Sequence, residues 1–316
     1  MKTRNREPSA LLIRSLLPAI GLAAISVGAL AQSGSDTIRK LIVVDLEQIG
    51  DPPTGPHVVA VEHDLGLDTH TIYRPSELGT SEHGVLVWGE GACANNGLMF
   101  PEFLSEIASH GFVVIADGPP EARGTGEGGP RPPGPPAGFR IEPDGTDLVA
   151  AMDWIEHEAA DPESRFYGRV DVSRVAAMGM SCGGLMSYGA SSDPRVATIG
   201  IWNSGLLEPS DAIFDGLHSS VIIVTGGESD IAYANGKRDF ETLPERVPVF
   251  YGVYPSIGHG GTYNQDNGGP FGAAAVAWLK WQLQGNTDAS GRGYFVGEAC
   301  GICADSNWVT ASRSLH

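Results

Sequence analysis

Residues 175–178 form a short apolar run that ends in Gly179-Met180-Ser181-Cys182-Gly183, and residues 182–190 behind it read as a helix. A strand that turns this abruptly into a helix needs glycine on both sides of the turn. A side chain there would strike the neighbouring strand or helix. Such a turn lifts the serine hydroxyl clear of the backbone and aims N–H groups at one point in space. The chain is therefore expected to build a strand–turn–helix unit with Ser181 at its apex.

The rest of the chain alternates in the same way. Strands are expected at 58–62, 70–73, 85–88, 112–116, 174–178, 198–202, 221–225 and 249–254. Helices are expected at 100–110, 146–159, 182–190, 231–240 and 271–284. In the last of these, Ala275, Val276, Trp278, Leu279 and Leu283 form an apolar stripe behind Pro270. Strands that alternate with helices imply an α/β fold with a doubly wound, mostly parallel sheet flanked by helices. The leading strands have no helix between them, which suggests an antiparallel edge. Loops at the carboxyl ends of parallel strands carry the chemistry in such sheets.

Three segments fall outside this alternation. Lys2, Arg4, Arg6 and Arg14 precede the apolar run 16–30, which ends in Ala29-Leu30-Ala31. This is the pattern of a secretory signal peptide (1–31), cleaved near Ala31, and the run is shorter than the ~20 residues of a membrane span. The remaining residues suit one domain, 32–285. Residues 118–140 are too rich in proline and glycine for a helix or a central strand. Two readings stay open for them, a surface excursion or a loop over the rim of the site. Residues 286–316 are polar and glycine-rich, and read as an appended tail.

The formal charge is −18, and the basic leader makes the rest of the chain more acidic still. That argues against a nucleic-acid or anionic-membrane partner. Four cysteines in an exported chain suggest disulfides. Cys300 and Cys303 are close enough for a local bridge, which leaves Cys93 and Cys182 as the second pair. No ligand set for zinc accompanies them, and no metal or other cofactor is expected.

Ser181 needs a base. Of nine histidines, His259 follows a late strand, in the flexible sequence Ile257-Gly258-His259-Gly260-Gly261. It is the expected base. The imidazole needs an orienting carboxylate. Asp230, in the turn after the 221–225 strand, is the expected partner, with Glu228 as rival. An oxyanion would be held by the Cys182 amide and by the Gly91 or Ala92 amide in the loop after the 85–88 strand. Glu90 in that loop must either point away or have a raised pKa, since a carboxylate would oppose the oxyanion. Trp202 and Asn203 end the strand beside the nucleophile. Each, together with Glu90, is a candidate substrate contact, with core packing as the alternative for Trp202.

The residues Gly179-Met180-Ser181-Cys182-Gly183, Asp230 and Gly258-His259-Gly260, in the order Ser, Asp, His, resemble the α/β-hydrolase superfamily over residues 58–284. Within it the chain looks like the dienelactone hydrolase, cutinase and polyester-hydrolase branch. The resemblance implies an eight-stranded sheet, a Ser-His-Asp triad and no cofactor. The chain departs from that branch at Cys182, where Met or Gln is common. It also departs in its Glu90-Gly91-Ala92-Cys93 loop, which lacks the branch's Phe or Tyr. The expected function is a secreted carboxylic ester hydrolase acting on a small-molecule or polymeric ester. A polyester or cutin-type hydrolase, an amidase or peptidase of the same fold, and a catalytically silent binding protein are the alternatives. The oligomeric state is left open.

Overall fold

The near-continuous apolar runs of the sequence become the middle of a ten-stranded sheet. In chain order its strands are β1 (Ile42–Val43), β2 (Val59–His63), β3 (His70–Pro75), β4 (His83–Gly89), β5 (Phe112–Asp117), β6 (Val170–Met180), β7 (Val196–Trp202), β8 (Ser220–Thr225), β9 (Val249–Val253) and β10 (Val309–Arg313). The computed structural model describes residues 42–43, 51–120 and 143–315, all within one unit of the chain, Ile38–His316. The expected leader and most of the 118–140 loop lie outside the described residues.

Across the sheet the order is β1-β2-β3-β5-β4-β6-β7-β8-β9-β10. The six strands from β5 to β9 in that order are parallel. β1, β2 and β3 extend one edge antiparallel, and β10 does so at the other. The expected count of eight strands is corrected by β1 and β10. β10 runs against β9, with Val309 opposite Val253 and Arg313 opposite Val249. Its Thr310, Ala311 and Ser312 are small or polar and its burial does not alternate cleanly, so no period-2 signal marks it.

Among the described residues, eight α-helices connect and cover the strands: α1 (Pro101–Ser109), α2 (Thr146–Ala160), α3 (Cys182–Ala190), α4 (Asp211–Gly216), α5 (Tyr233–Thr242), α6 (Gly269–Gln284), α7 (Arg292–Phe295) and α8 (Gly301–Ala304). Successive side chains on a strand point to opposite faces. Leu86 and Trp88 of β4 therefore join a core with α1 and α6. Val85 and Val87 join a second core with α2 and α3. With both faces covered, every residue of β4 and β5 is buried, which is why their sequences read as unbroken apolar runs. α6 begins with Pro270 in its first turn and ends at Gly285, whose φ of 68° only glycine adopts readily.

The segment after residue 285 is built into the first of these cores rather than appended to it. Phe295, Ile302 and Trp308 are buried there. The Phe295 ring lies 5.2 Å from Trp278 of α6, and Trp308 lies 5.8 Å from Phe271. The Cys300–Cys303 bridge forms as expected, with its Cα atoms 5.3 Å apart.

The strand order creates one special place. From β4 the chain passes through α1 to β5 on one side, then returns through α2 to β6 on the other. The winding direction reverses between β4 and β6. α1 and α2 cover opposite faces, so a crevice opens beyond the carboxyl ends of these two strands.

If residues 286–315 are core, Trp308→Ala is expected to destabilise the protein by about 3–5 kcal/mol, as for other buried aromatics. Chemical denaturation measures this. An unchanged midpoint would make the segment peripheral.

Candidate active site

Ser181 sits directly after β6, above that crevice. Its φ of 54° and ψ of −111° lie outside the regions that residues other than glycine favour. Conformations of this kind cost of order 1–3 kcal/mol and persist only where the surroundings impose them. Here the Ser181 amide donates to the Trp202 carbonyl at 2.8 Å, and the Ser181 carbonyl accepts from the Gly184 amide at 3.0 Å. Ser204 Oγ donates to that same carbonyl at 2.6 Å. The flanking glycines allow the approach that the sequence anticipates. A Cβ on Gly183 would lie 1.9 Å from the Gly89 carbonyl oxygen, and one on Gly179 would lie 2.3 Å from the Gly183 carbonyl.

Asp230 and His259 come from the turns after β8 and β9, and those turns are locked to each other. The Gly258 amide donates to the Gly226 carbonyl at 3.0 Å, and a Cβ on Gly226 would lie 2.0 Å from the Gly258 oxygen. This juxtaposition sets His259 Nδ1 2.6 Å from Asp230 Oδ1 and His259 Nε2 3.0 Å from Ser181 Oγ. Glu228, the rival carboxylate, is exposed and lines a separate cavity with Tyr233 and Pro255.

The Asp230 carboxylate is buried and well satisfied. Besides His259, it accepts from the Gly226 amide at 2.9 Å, the Ala232 amide at 2.9 Å and Asn203 Nδ2 at 2.7 Å. Burial alone would push its pKa upward. The hydrogen bonds from His259, Gly226, Ala232 and Asn203 outweigh burial and hold it below the ordinary aspartate value. A carboxylate held ionised in this way fixes the imidazole with Nδ1–H toward it. Nε2 is then free to accept the serine proton.

A cavity of about 650 Å³ opens over Ser181 and His259. Gly91, Ala92 and Cys182, the expected oxyanion donors, all line it. Met99, Phe100, Met180 and Leu185 make its walls apolar. Cys93 and Cys182 are bonded, with Cα atoms 5.2 Å apart, which removes Cys182 as a nucleophile.

Two expectations for substrate contacts, Trp202 and Glu90, need correction, whereas Asn203 does line the cavity. Trp202 lines no part of this cavity. It is fully buried between Phe103 and Phe271, with ring centroids 5.7 and 5.8 Å away. Asn203 borders the cavity, but its side chain is committed elsewhere. Its Nδ2 donates to Asp230 and to the Gly258 carbonyl, and its Oδ1 accepts from Tyr263 OH. Its φ of 43° is one asparagine tolerates better than most residues, and β7 needs such a turn to aim the amide at Asp230. Glu90 is fully buried and not part of the cavity wall, so it is no substrate contact. Burial pushes its carboxyl well above the ordinary range. The Trp88 indole opposes this in part, and Asp117 adds to it. Both escapes anticipated for Glu90 hold together: it points away from the cavity, and its pKa is raised.

Ser204 and Tyr263 were not anticipated. Both sit within a few residues of recognised positions. Neither belongs to a local pattern, because their roles arise only when the turns after β6, β7 and β9 meet. Among the described residues, no group of three or more His, Cys, Asp or Glu could hold a metal ion. No protein-family model matches the chain, and no curated protein is similar to it.

Asn203→Ala removes one donor to Asp230 and strands the Tyr263 hydroxyl. The expected loss is about 1–3 kcal/mol at neutral pH. Because the folded pKa of Asp230 is depressed, its hydrogen bonds stabilise the fold above the ordinary aspartate range. That contribution is lost as pH falls through the folded value. The Asn203→Ala loss should therefore shrink below about pH 4. Melting curves of both proteins across pH test this, and a loss independent of pH would contradict it.

Proposed function

We propose that the chain is a serine hydrolase with the α/β-hydrolase fold, acting on carboxylic esters through an acyl-enzyme. One observation carries the reading: the unbroken line of hydrogen bonds Ser181–His259–Asp230 in the crevice where the sheet reverses its winding. A serine hydroxyl is a weak nucleophile by itself, and this line supplies both a base and an orienting carboxylate.

In the proposed reaction Ser181 Oγ attacks the ester carbonyl while His259 Nε2 takes its proton. The tetrahedral oxyanion is met by the Cys182 amide and by the Gly91 or Ala92 amide. Among the described residues these amides are donated to no protein acceptor. His259 then protonates the departing alcohol. Water enters, gives a proton to the same Nε2 and attacks the acyl-serine. Collapse of the second intermediate frees the acid and restores Ser181. Throughout, Asp230 stays ionised and balances the charge that appears on His259.

The cavity also speaks for a kind of substrate. Among the described residues its wall holds no lysine or arginine, and its apolar side chains suit a hydrocarbon acyl group. Leu207 and Ile231 line it and are solvent-exposed, extending the apolar wall outward. This favours a neutral ester whose alcohol side reaches past the cavity mouth. Two disulfides suit an oxidising compartment, consistent with export. Among the described residues no helix is long and apolar enough to cross a membrane.

Ser181→Ala should cut turnover of p-nitrophenyl butyrate by a factor on the order of 10³–10⁶ while leaving the melting curve in place. Activity that survives would remove Ser181 from the reaction. A second comparison tests the cavity. A p-nitrophenyl ester with a hexanoyl chain should exceed one with a carboxylate-ended chain of equal length by about tenfold or more in kcat/KM, since an unpaired carboxylate is costly to bury. Equal rates would mean that the acyl group does not enter the apolar cavity.

A further inference from the structure

We propose that the Cys93–Cys182 disulfide positions the oxyanion donors, so that Cys93 and Cys182 set the rate of turnover and not only stability. The inference rests on the ester-hydrolase reading above. Oxyanion stabilisation requires donors from two separate segments to converge on one point, and small displacements of such groups cost rate steeply. One donor segment is the first turn of α3, which carries Cys182. The other is the loop after β4, which carries Gly91, Ala92 and Cys93.

The α3 segment is held by the fold itself, because Gly183 packs backbone to backbone on Gly89. The loop is held at its two ends. Gly91 lies against Met180, and the Gly97 amide donates to the Pro119 carbonyl at 3.1 Å while the Gly97 carbonyl accepts from Tyr73 OH at 2.6 Å. Its crown is a different matter. Ala92 and Cys93 are exposed, consecutive and both left-handed, with φ of 57° and 47°. That conformation costs roughly 1–2 kcal/mol per residue for side chains such as these. The nearest internal support is the turn from the Ala94 amide to the Gly91 carbonyl, at 2.9 Å. Among the described residues, neither Ala92 nor Cys93 makes a hydrogen bond to any other element. The bond from Cys93 to Cys182 is the link that ties this crown to α3, and it lands on the residue next to the nucleophile.

The bond can be opened chemically. Dithiothreitol gives up two electrons and two protons, closes to its own cyclic disulfide, and leaves Cys93 and Cys182 as thiols. Freed of the bond, the crown can leave its left-handed conformation and carry its amides away from the Cys182 amide. Contacts to an oxyanion exist only in the transition state, so their loss should lower kcat and leave KM nearly unchanged.

The test uses the full chain with Cys300→Ala and Cys303→Ala, so that only one bridge responds. That variant is expected to keep wild-type turnover of p-nitrophenyl butyrate. Reduction, or Cys93→Ala, should lower kcat per folded molecule about 10- to 100-fold with KM changed less than about threefold, and reoxidation should restore it. A kcat within twofold of the oxidised protein overturns the proposal. So does a loss fully explained by the unfolded fraction seen in circular dichroism.

A second measurement covers the case in which reduction unfolds the chain. Diiodomethane joins the two thiolates through one added carbon with release of two iodides, which keeps the tether and lengthens it. Positioning predicts a kcat lowered about tenfold or more at an unchanged melting temperature, whereas a purely stabilising tether predicts an unchanged kcat and overturns the proposal. Absence of any Ser181-dependent turnover in the oxidised wild type would overturn the ester-hydrolase reading itself, and the positioning role with it.

Discussion

Everything in the crevice depends on one close approach, that of the Gly183 backbone to the Gly89 carbonyl. β4 and β6 are neighbours in the sheet but run away from each other in chain order, and the helix that follows β6 must fold back over the end of β4. With glycine at 89, 179 and 183 the first turn of α3 descends to where a methyl group would overlap backbone atoms. That descent forces Ser181 into its unusual φ and ψ and brings Cys182 within bonding distance of Cys93. The strain at Ser181 and the disulfide are thus consequences of one packing constraint. Neither could be kept if Gly183 carried a side chain.

A second contact of the same kind, Gly226 against Gly258, does for Asp230 and His259 what Gly89 and Gly183 do for Ser181. Two loops joined backbone to backbone leave little freedom to the side chains they carry. Tyr263 and Asn203 then complete the cage around Asp230. Tyr263 is fully buried, and burial together with the neighbouring Asp230 charge keeps its hydroxyl protonated far above neutral pH. A hydroxyl that cannot ionise is a fixed donor, so Asn203 Oδ1 always accepts and its amide always faces Asp230. The carboxylate is therefore oriented through Asn203 and, behind it, Tyr263.

The sequence made the parallel core legible because strands buried on both faces read as unbroken apolar runs, and because Ser181, Asp230 and His259 all follow such runs. The same physics explains what was hidden. β10 lies on an exposed edge, where small polar residues serve as well as apolar ones. Trp202 was ambiguous because its strand end is both next to Ser181 and packed on α1 and α6. Only the direction of its side chain decides between core and cavity, and a strand's alternation settles direction only when the register is known. Tyr263 and Ser204 depend on contacts between turns separated by tens of residues, and single-sequence patterns carry no record of those.

The acids near the switch point follow the same logic of position. Asp117 ends β5, where burial first and the neighbouring Asp147 second raise its carboxyl to about 6. Glu90 follows β4, and burial raises its carboxyl well above the ordinary range. An ionised carboxylate at Glu90, next in sequence to Gly91, would oppose an anion forming at the amides proposed to meet it. Burial favours the neutral form of Glu90 and so weakens that opposition. The one carboxylate held ionised in the constellation is Asp230, on the far side of His259, where its charge favours the imidazolium that the proposed reaction creates. The distribution of burial over these acids, more than their number, makes a strongly acidic chain compatible with chemistry that passes through an anion.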